Sequence, residues 1–267
     1  MRADVFLFNI GIAKSRSHAQ TLISGGVLIG GRKIEKPSAD VPENTEKESV
    51  TVLSPSEFVG RGGIKLSHAL KMFGIDARGL IAVDLGASTG GFTDCLLQNG
   101  AKKVYAVDVG HGQLDFSLVS DSRVINMEGT NARTLTRSDF PEKIDIVVSD
   151  LSFISQTLVF PSVSDILQDG GMFVSLIKPQ FEAGKGNIGK GGIVRDKRVH
   201  CEVIKNVFTS ARANCLVPCM LSPSAIRGGD GNREYVALFI KGTDRKAICE
   251  KQISDIVNSE NCEVTAK

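Results

Sequence analysis

The apolar run Ile81–Leu85 leads straight into a glycine-rich stretch, "VDLGASTGGFTDCLLQNG" over residues 83–100, whose second half has helical spacing. A glycine turn between a strand and a helix lets the backbone approach a ligand closely and aims helix N–H groups at it. Such a unit needs a neighbouring strand. Lys103–Val107 supplies one and is followed by Asp108, 22 positions after Gly86. Further strands are expected at Ile144–Ser149, Met172–Ile177, Leu216–Met220 and Tyr235–Ile240, with helices after the first two strands and over Val194–Arg212. Over residues 61–242 this alternation predicts an α/β fold, a parallel sheet covered on both faces.

Residues 1–53 read as a separate small α+β unit. Ala3–Asn9 and Ser15–Ser24 have helical spacing, with "SGG" at 24–26 as a stop. Val27–Ile29 and Lys33–Ile34 flank Gly30-Gly31, a hairpin-type turn, and Val50–Leu53 is a last strand. Residues 54–60 read as a linker and residues 243–267 as a polar tail with little structural signal.

With 42% hydrophobic and 23% charged residues, the chain suits a soluble protein able to bury a core without staples. A net charge of +2 leaves any nucleic-acid affinity to local patches. Val5–Ile12 lacks the cleavage site of a signal peptide, and no apolar run approaches the ~20 residues of a membrane span. The six cysteines form no CxxC pair, which excludes a disulfide framework or zinc site by spacing and fits a reducing cytoplasm.

The glycine loop departs from the dinucleotide pattern G-x-G-x-x-G. Gly86 is followed by Ala87, Ser88 and Thr89, and then by Gly90-Gly91, so the middle glycine that admits a pyrophosphate is missing. Asp84 stands two residues before the loop, where it would repel phosphate but hold an ammonium group through water or a hydroxyl. Asp108 is placed to accept ribose hydroxyls. Together these features suit S-adenosylmethionine, a zwitterion on a nucleoside, better than a nicotinamide cofactor.

Ligands of open α/β sheets bind outside the carboxyl ends of the strands. Asp150 and Lys178 lie at such ends, and in methyltransferase sheets the last strand is antiparallel, which brings Glu234 to the same edge. Lys65, in "GRGGIKL", can reach it from the preceding helix. Each alone has a plain structural explanation. Meeting on one edge, they suit methylation of a sugar hydroxyl, which needs a base and nearby positive charge. A free lysine has a pKa of ~10.4, which burial and a second ammonium would lower. Lys178 is then the expected base and Lys65 the oxyanion stabiliser, with Asp150 and Glu234 orienting them. Methylation of base amino groups would instead favour Asn/Asp-Pro-Pro-aromatic where this chain has "SDLSF". Cys219, after Pro218, lies in an apolar run two strands too late to be a carbon-methylation nucleophile.

Taken together, "GRGGIKL", "VDLGASTGGFTD", "VSDLSF", "LIKPQFE" and "GNREY" resemble the heat-shock-type ribose 2′-O-methyltransferase domain. "RADVFLFNIGIAKSRSHAQTLISGGVLIGGRKIEKPSADV" resembles the RNA-binding domain named after small-subunit ribosomal protein four. The whole, from residue 1 to about 242, resembles the TlyA/hemolysin A family of bacterial ribosomal RNA methyltransferases. The resemblance implies a Rossmann-like class I methyltransferase sheet and a Lys-Asp-Lys-Glu tetrad on Lys65, Asp150, Lys178 and Glu234. It also implies S-adenosylmethionine as cofactor, no catalytic metal, and cytidine 2′-hydroxyls of ribosomal RNA in ribosomal subunits as substrate. The hemolysin name implies membrane lysis, for which this sequence offers neither a spanning helix nor a barrel pattern. The chain departs from the family at its tight turn, Gly30-Gly31, and in a linker without the family's aromatic-rich form.

Lys14, Arg16, Arg32, Lys33 and Lys36 gather in the first unit, whereas residues 39–57 are acidic. A solvated face is the ordinary explanation of such a cluster. With the family resemblance, RNA backbone contact by shape and phosphate is the expectation. A non-catalytic RNA-binding or ribosome-assembly factor, and an oxidoreductase, are the alternatives to a methyltransferase.

Overall fold

A computed structural model describes residues 1–13, 15–42, 44–53, 57–242 and 246–259. In the small unit, α1 (Ala3–Asn9) and α2 (Arg16–Gly26) precede β1 (Val27–Ile29), β2 (Arg32–Lys33) and β3 (Val50–Val52). The Ser15 hydroxyl starts α2 by accepting from the His18 backbone N–H at 3.0 Å. The helix runs through Ser24 to Gly26, past the expected stop. Gly30 and Gly31, with φ of 57° and 77°, close the two-residue turn that pairs Ile29 with Arg32. The strands order as β2-β1-β3. The second strand is shifted one residue from the sequence expectation, although Ile34 still donates its backbone N–H to the Val27 carbonyl at 2.9 Å and buries its side chain in the same small core.

The larger unit begins with α3 (Arg61–Phe73), β4 (Ile81–Leu85), α4 (Gly91–Gln98), β5 (Lys103–Asp108), α5 (Phe116–Val119) and β6 (Val124–Glu128). It continues through β7 (Ile144–Ser149), α6 (Phe160–Ile166), β8 (Leu167–Ile177), α7 (Pro179–Glu182), α8 (Lys197–Ala213), β9 (Leu216–Pro223), β10 (Tyr235–Lys241) and α9 (Glu250–Asn258). The sheet order is β6-β5-β4-β7-β8-β10-β9, parallel except where β10 runs against both neighbours. Side-chain alternation divides the core. Val83 and Leu85 face α6, α8 and α9, whereas Ala82, Ile146 and Val236 face α3 and α4.

Several elements escape the sequence pattern, among them the short helices α6 and α7. β6 is an edge strand with Ile125 and Asn126 exposed, so it carries no continuous apolar run. The tail expected to be featureless contains α9, whose Ile253 and Val257, one helical turn apart, are buried with Ile248 in the main core. Among the described residues no helix is long and apolar enough to cross a membrane.

Register explains where function can sit. Leu85 pairs with Val107 and Ser149, and Ser149 with Ser175, so the ends of β4, β5, β7 and β8 share one edge. Antiparallel pairing of Tyr235 with Ile177 puts the start of β10 on that edge as well.

Candidate active site

Four charged side chains from four elements meet at this edge. Lys65 is buried on α3 together with Leu66, Ala69 and Leu70. Its Nζ donates to Glu234 Oε2 at 2.6 Å and lies 3.9 Å from Asp150 Oδ2. Asp150, directly after β7, turns its other oxygen to Lys178 Nζ at 2.6 Å. Lys178 also donates to the Ser152 hydroxyl at 2.8 Å. The result is a chain of alternating charge, Glu234–Lys65–Asp150–Lys178. Lys65, Lys178 and Glu234 are buried, and Asp150 is partly exposed. Buried ions are tolerable only when paired in this way.

β8 ends at Ile177, Lys178 caps α7, and Pro179 is that helix's first residue, so the chain turns at once. The turn brings the Phe181 ring to 5.8 Å from the Lys178 ammonium. Beside it Phe153, with φ of 65°, stands 88% exposed, its ring 5.2 Å from that of Phe181. Sequence reasoning missed Ser152 and Phe153, although both directly follow Asp150 in "SDLSF".

The glycine loop forms the opposite wall. Gly86, Ser88 and Gly90 all have positive φ, at 81°, 48° and 95°. Asp108 accepts backbone N–H groups from Ser88 and Gly110, both at 2.8 Å, which ties the end of β5 to the loop. Asp84 is fully buried; Thr93 donates to its Oδ2 at 2.7 Å, and its Oδ1 has no partner. Burial chiefly, with a further contribution from Asp150, pushes the Asp84 carboxyl up to about 7 against the opposing Thr93 hydrogen bond. Gly91, at the start of α4, lies so close to α3 that a β-carbon there would meet the Gly63 nitrogen at 3.0 Å and the Gly60 oxygen at 3.1 Å. The loop and the Asp150–Lys178 end of the charged chain thus share one cleft of about 210 Å³, lined by Gly60–Gly62, Gly86–Thr89, Gly91, Phe92, Asp150, Ser152 and Lys178.

A buried carboxylate with an unpartnered oxygen near the end of β4, the glycine loop that follows it and a second carboxylate at the end of β5 fit a nucleoside that carries a cationic group. Gly91→Ala should pry α3 from α4, because the close atoms on both sides are backbone. The expected cost is about 1–3 kcal/mol of stability, with weakened cofactor binding. Urea titration and cofactor binding of the variant test this; an unchanged midpoint would contradict the contact.

In the small unit Arg32, Lys33 and Lys36 line one cleft of about 530 Å³, together with Glu35 and Asp40. Arg16 does not line it; its guanidinium reaches buried Asp4 at 3.2 Å. Arg2 is the larger partner there and holds the Asp4 carboxyl well below the usual carboxylate range. Lys14 lies outside the described residues. The basic set is therefore split.

Comparison with known proteins agrees with this architecture. Residues 58–241 match the FtsJ-like methyltransferase family and residues 1–46 match the S4 domain. The chain is 41% identical to the 16S/23S rRNA (cytidine-2′-O)-methyltransferase TlyA of Mycobacterium tuberculosis, over 96% of each protein. It is 40% identical to hemolysin A of Brachyspira hyodysenteriae, over 90% of this chain and all of that one. A solved structure of a provisionally named hemolysin from Streptococcus thermophilus superposes with a TM-score of 0.78 at 39% identity, covering 96% of this chain and 94% of that one. The chain belongs to the FtsJ-like methyltransferase family, in its TlyA/hemolysin A branch, with an S4 domain at its amino-terminal end.

Proposed function

We propose that this protein methylates the ribose 2′-hydroxyl of a cytidine in ribosomal RNA, using S-adenosylmethionine and Lys178 as general base. The observation that carries the reading is the charge chain Glu234–Lys65–Asp150–Lys178, whose Asp150–Lys178 end lines the same cleft as the glycine loop. The branch relative named as a cytidine-2′-O-methyltransferase, 41% identical along almost the whole chain, supports the substrate.

S-adenosylmethionine, when bound, supplies an electrophilic methyl group. Asp84 would hold its ammonium through the Thr93 hydroxyl or water, the 86–91 loop would pass along its backbone, and Asp108 would accept its ribose hydroxyls. Lys178 takes the 2′-hydroxyl proton onto Nζ, so it must reach the neutral state before transfer. Asp150 and Ser152 aim that nitrogen. Lys65, held by Glu234, places a positive charge where the 2′-oxygen becomes anionic. Phe153 offers a face on which the target base can stack. Most of the rate gain comes from positioning and electrostatics. A ribosomal substrate would place the protein in the cytoplasm.

The S4 domain would contribute backbone contacts. Neutralising Arg32, Lys33 and Lys36 together should weaken rRNA binding and flatten the dependence of log K on log salt by roughly 2–3, at 0.7–0.9 per phosphate contact. An unchanged slope would leave the patch a solvated face. The overall reading is tested by labelled methyl transfer to intact ribosomal subunits from cells lacking the gene. Label in RNA is expected; binding to subunits without transfer would favour an assembly factor that has kept the cofactor fold.

A further inference from the structure

We propose that Arg233 is a positioning residue for Glu234, making the end of the C-terminal helix α9 part of what holds the charged chain in register. The inference rests on the role given to Glu234 above. Along the start of β10, side chains alternate between the two faces of the sheet. Tyr235 packs with α8 and α9, and Val236 packs with α3 and α4. Arg233 shares the first face, and Glu234 points to the second, where Lys65 waits.

Three anchors, Asn232 and Arg233 before it and Tyr235 after it, flank that carboxylate. Asn232 accepts from the Val194 N–H at 3.1 Å and donates to the Gly192 carbonyl at 3.0 Å. Tyr235 pairs through its hydroxyl with His200 Nδ1 at 3.0 Å. Arg233 donates to the carbonyls of Val257 at 2.7 Å, Ser259 at 2.9 Å and Ile256 at 3.3 Å, and its guanidinium lies 5.4 Å from the Tyr235 ring centre. Those carbonyls are the orphan acceptors at the negative end of a helix, a natural site for an arginine. The restraint matters because the preceding loop, "IRGGDGN", contains three glycines and is closed by bonds within itself, Gly228 N–H to the Asn232 carbonyl and Gly231 N–H to the Gly228 carbonyl, both at 2.9 Å, so the flanking anchors fix where it sits. Gly228 in that loop sits so close that a β-carbon would come 2.5 Å from Glu234 Oε1. A small drift of the loop therefore displaces the carboxylate. Lys65 would then turn toward Asp150, 3.9 Å away, and compete with Lys178 for it.

The test compares Arg233→Met, which keeps the apolar stem, with Arg233→Lys and Glu234→Gln. Activity is expressed per cofactor-binding site, so unfolded protein is not counted. Arg233→Met is expected to lower kcat about 10- to 100-fold, with KM for S-adenosylmethionine and for subunits within about twofold, and Arg233→Lys to recover part of the loss. A kcat kept in Arg233→Met but lost in Glu234→Gln would overturn the clamp alone. Unchanged kcat in Glu234→Gln would overturn the role of Glu234 and the clamp with it.

Discussion

Lys178→Ala is expected to cut methyl transfer by roughly 10²- to 10⁴-fold, the usual worth of a positioned general base, with cofactor binding changed less than twofold. The reason is geometric. Lys178 is the only member of the charged chain that combines an Asp150 oxygen at 2.6 Å, a hydroxyl partner at 2.8 Å and a place on the wall of the cofactor cleft. Alanine also leaves Asp150 with Lys65 alone, 3.9 Å away, so some loss of stability should accompany the loss of rate. Lys178→Arg separates the two roles. Arginine keeps the charge but cannot surrender its proton in a protein. A variant as inactive as alanine supports a base; one retaining most of the activity would make Lys178 an electrostatic residue.

Asp84→Asn carries the second large effect. A buried carboxylate that meets an ammonium is worth about 1.5–3 kcal/mol, so cofactor affinity should fall roughly 10- to 100-fold. The pH dependence adds a signature. With its carboxyl raised to about 7, chiefly by burial, Asp84 is largely protonated at pH 6 in the free protein. Binding a cation favours the ionised form, so uptake of cofactor at pH 6 should release a proton and affinity should rise toward pH 7.5. Calorimetry in buffers of different ionisation enthalpy reads this directly; no proton release would contradict the assignment. For stability the sign is set by linkage: between the ordinary carboxylate value and about 7 the folded state binds more protons than the unfolded one. This contribution is complete at low pH and is lost as pH rises through about 7. Without cofactor, Asp84→Asn should remove that slope and be the more stable protein at pH 8, measured by urea midpoints.

What the sequence disclosed follows from periodicity and from chemistry carried by residue type. The cofactor strand, its glycine loop and the parallel neighbour stand out because buried strands are continuous apolar runs and because the turn demands glycine. Lys65, Asp150, Lys178 and Glu234 were recognisable as candidates, lysines and acids at strand ends being costly unless used. Their order of pairing was not, because only the antiparallel register of β10 decides that Glu234 takes Lys65 while Asp150 faces Lys178. α9 was overlooked although Ile253, Ile256 and Val257 fall at the i, i+3, i+4 spacing of a helix face, because so short a stripe sits in a charged tail. Arg233 was hidden, its partners being backbone carbonyls about 25 residues away, which no side-chain pattern announces.

The chemistry at the 2′-oxygen is the central claim, and the modified nucleoside reports it. Subunits lacking the modification would be treated with the protein and labelled S-adenosylmethionine, and the rRNA digested to nucleosides and resolved by mass. Wild-type protein is expected to yield 2′-O-methylcytidine and Lys178→Ala none. Label on a base, or the same yield from Lys178→Ala, would contradict it.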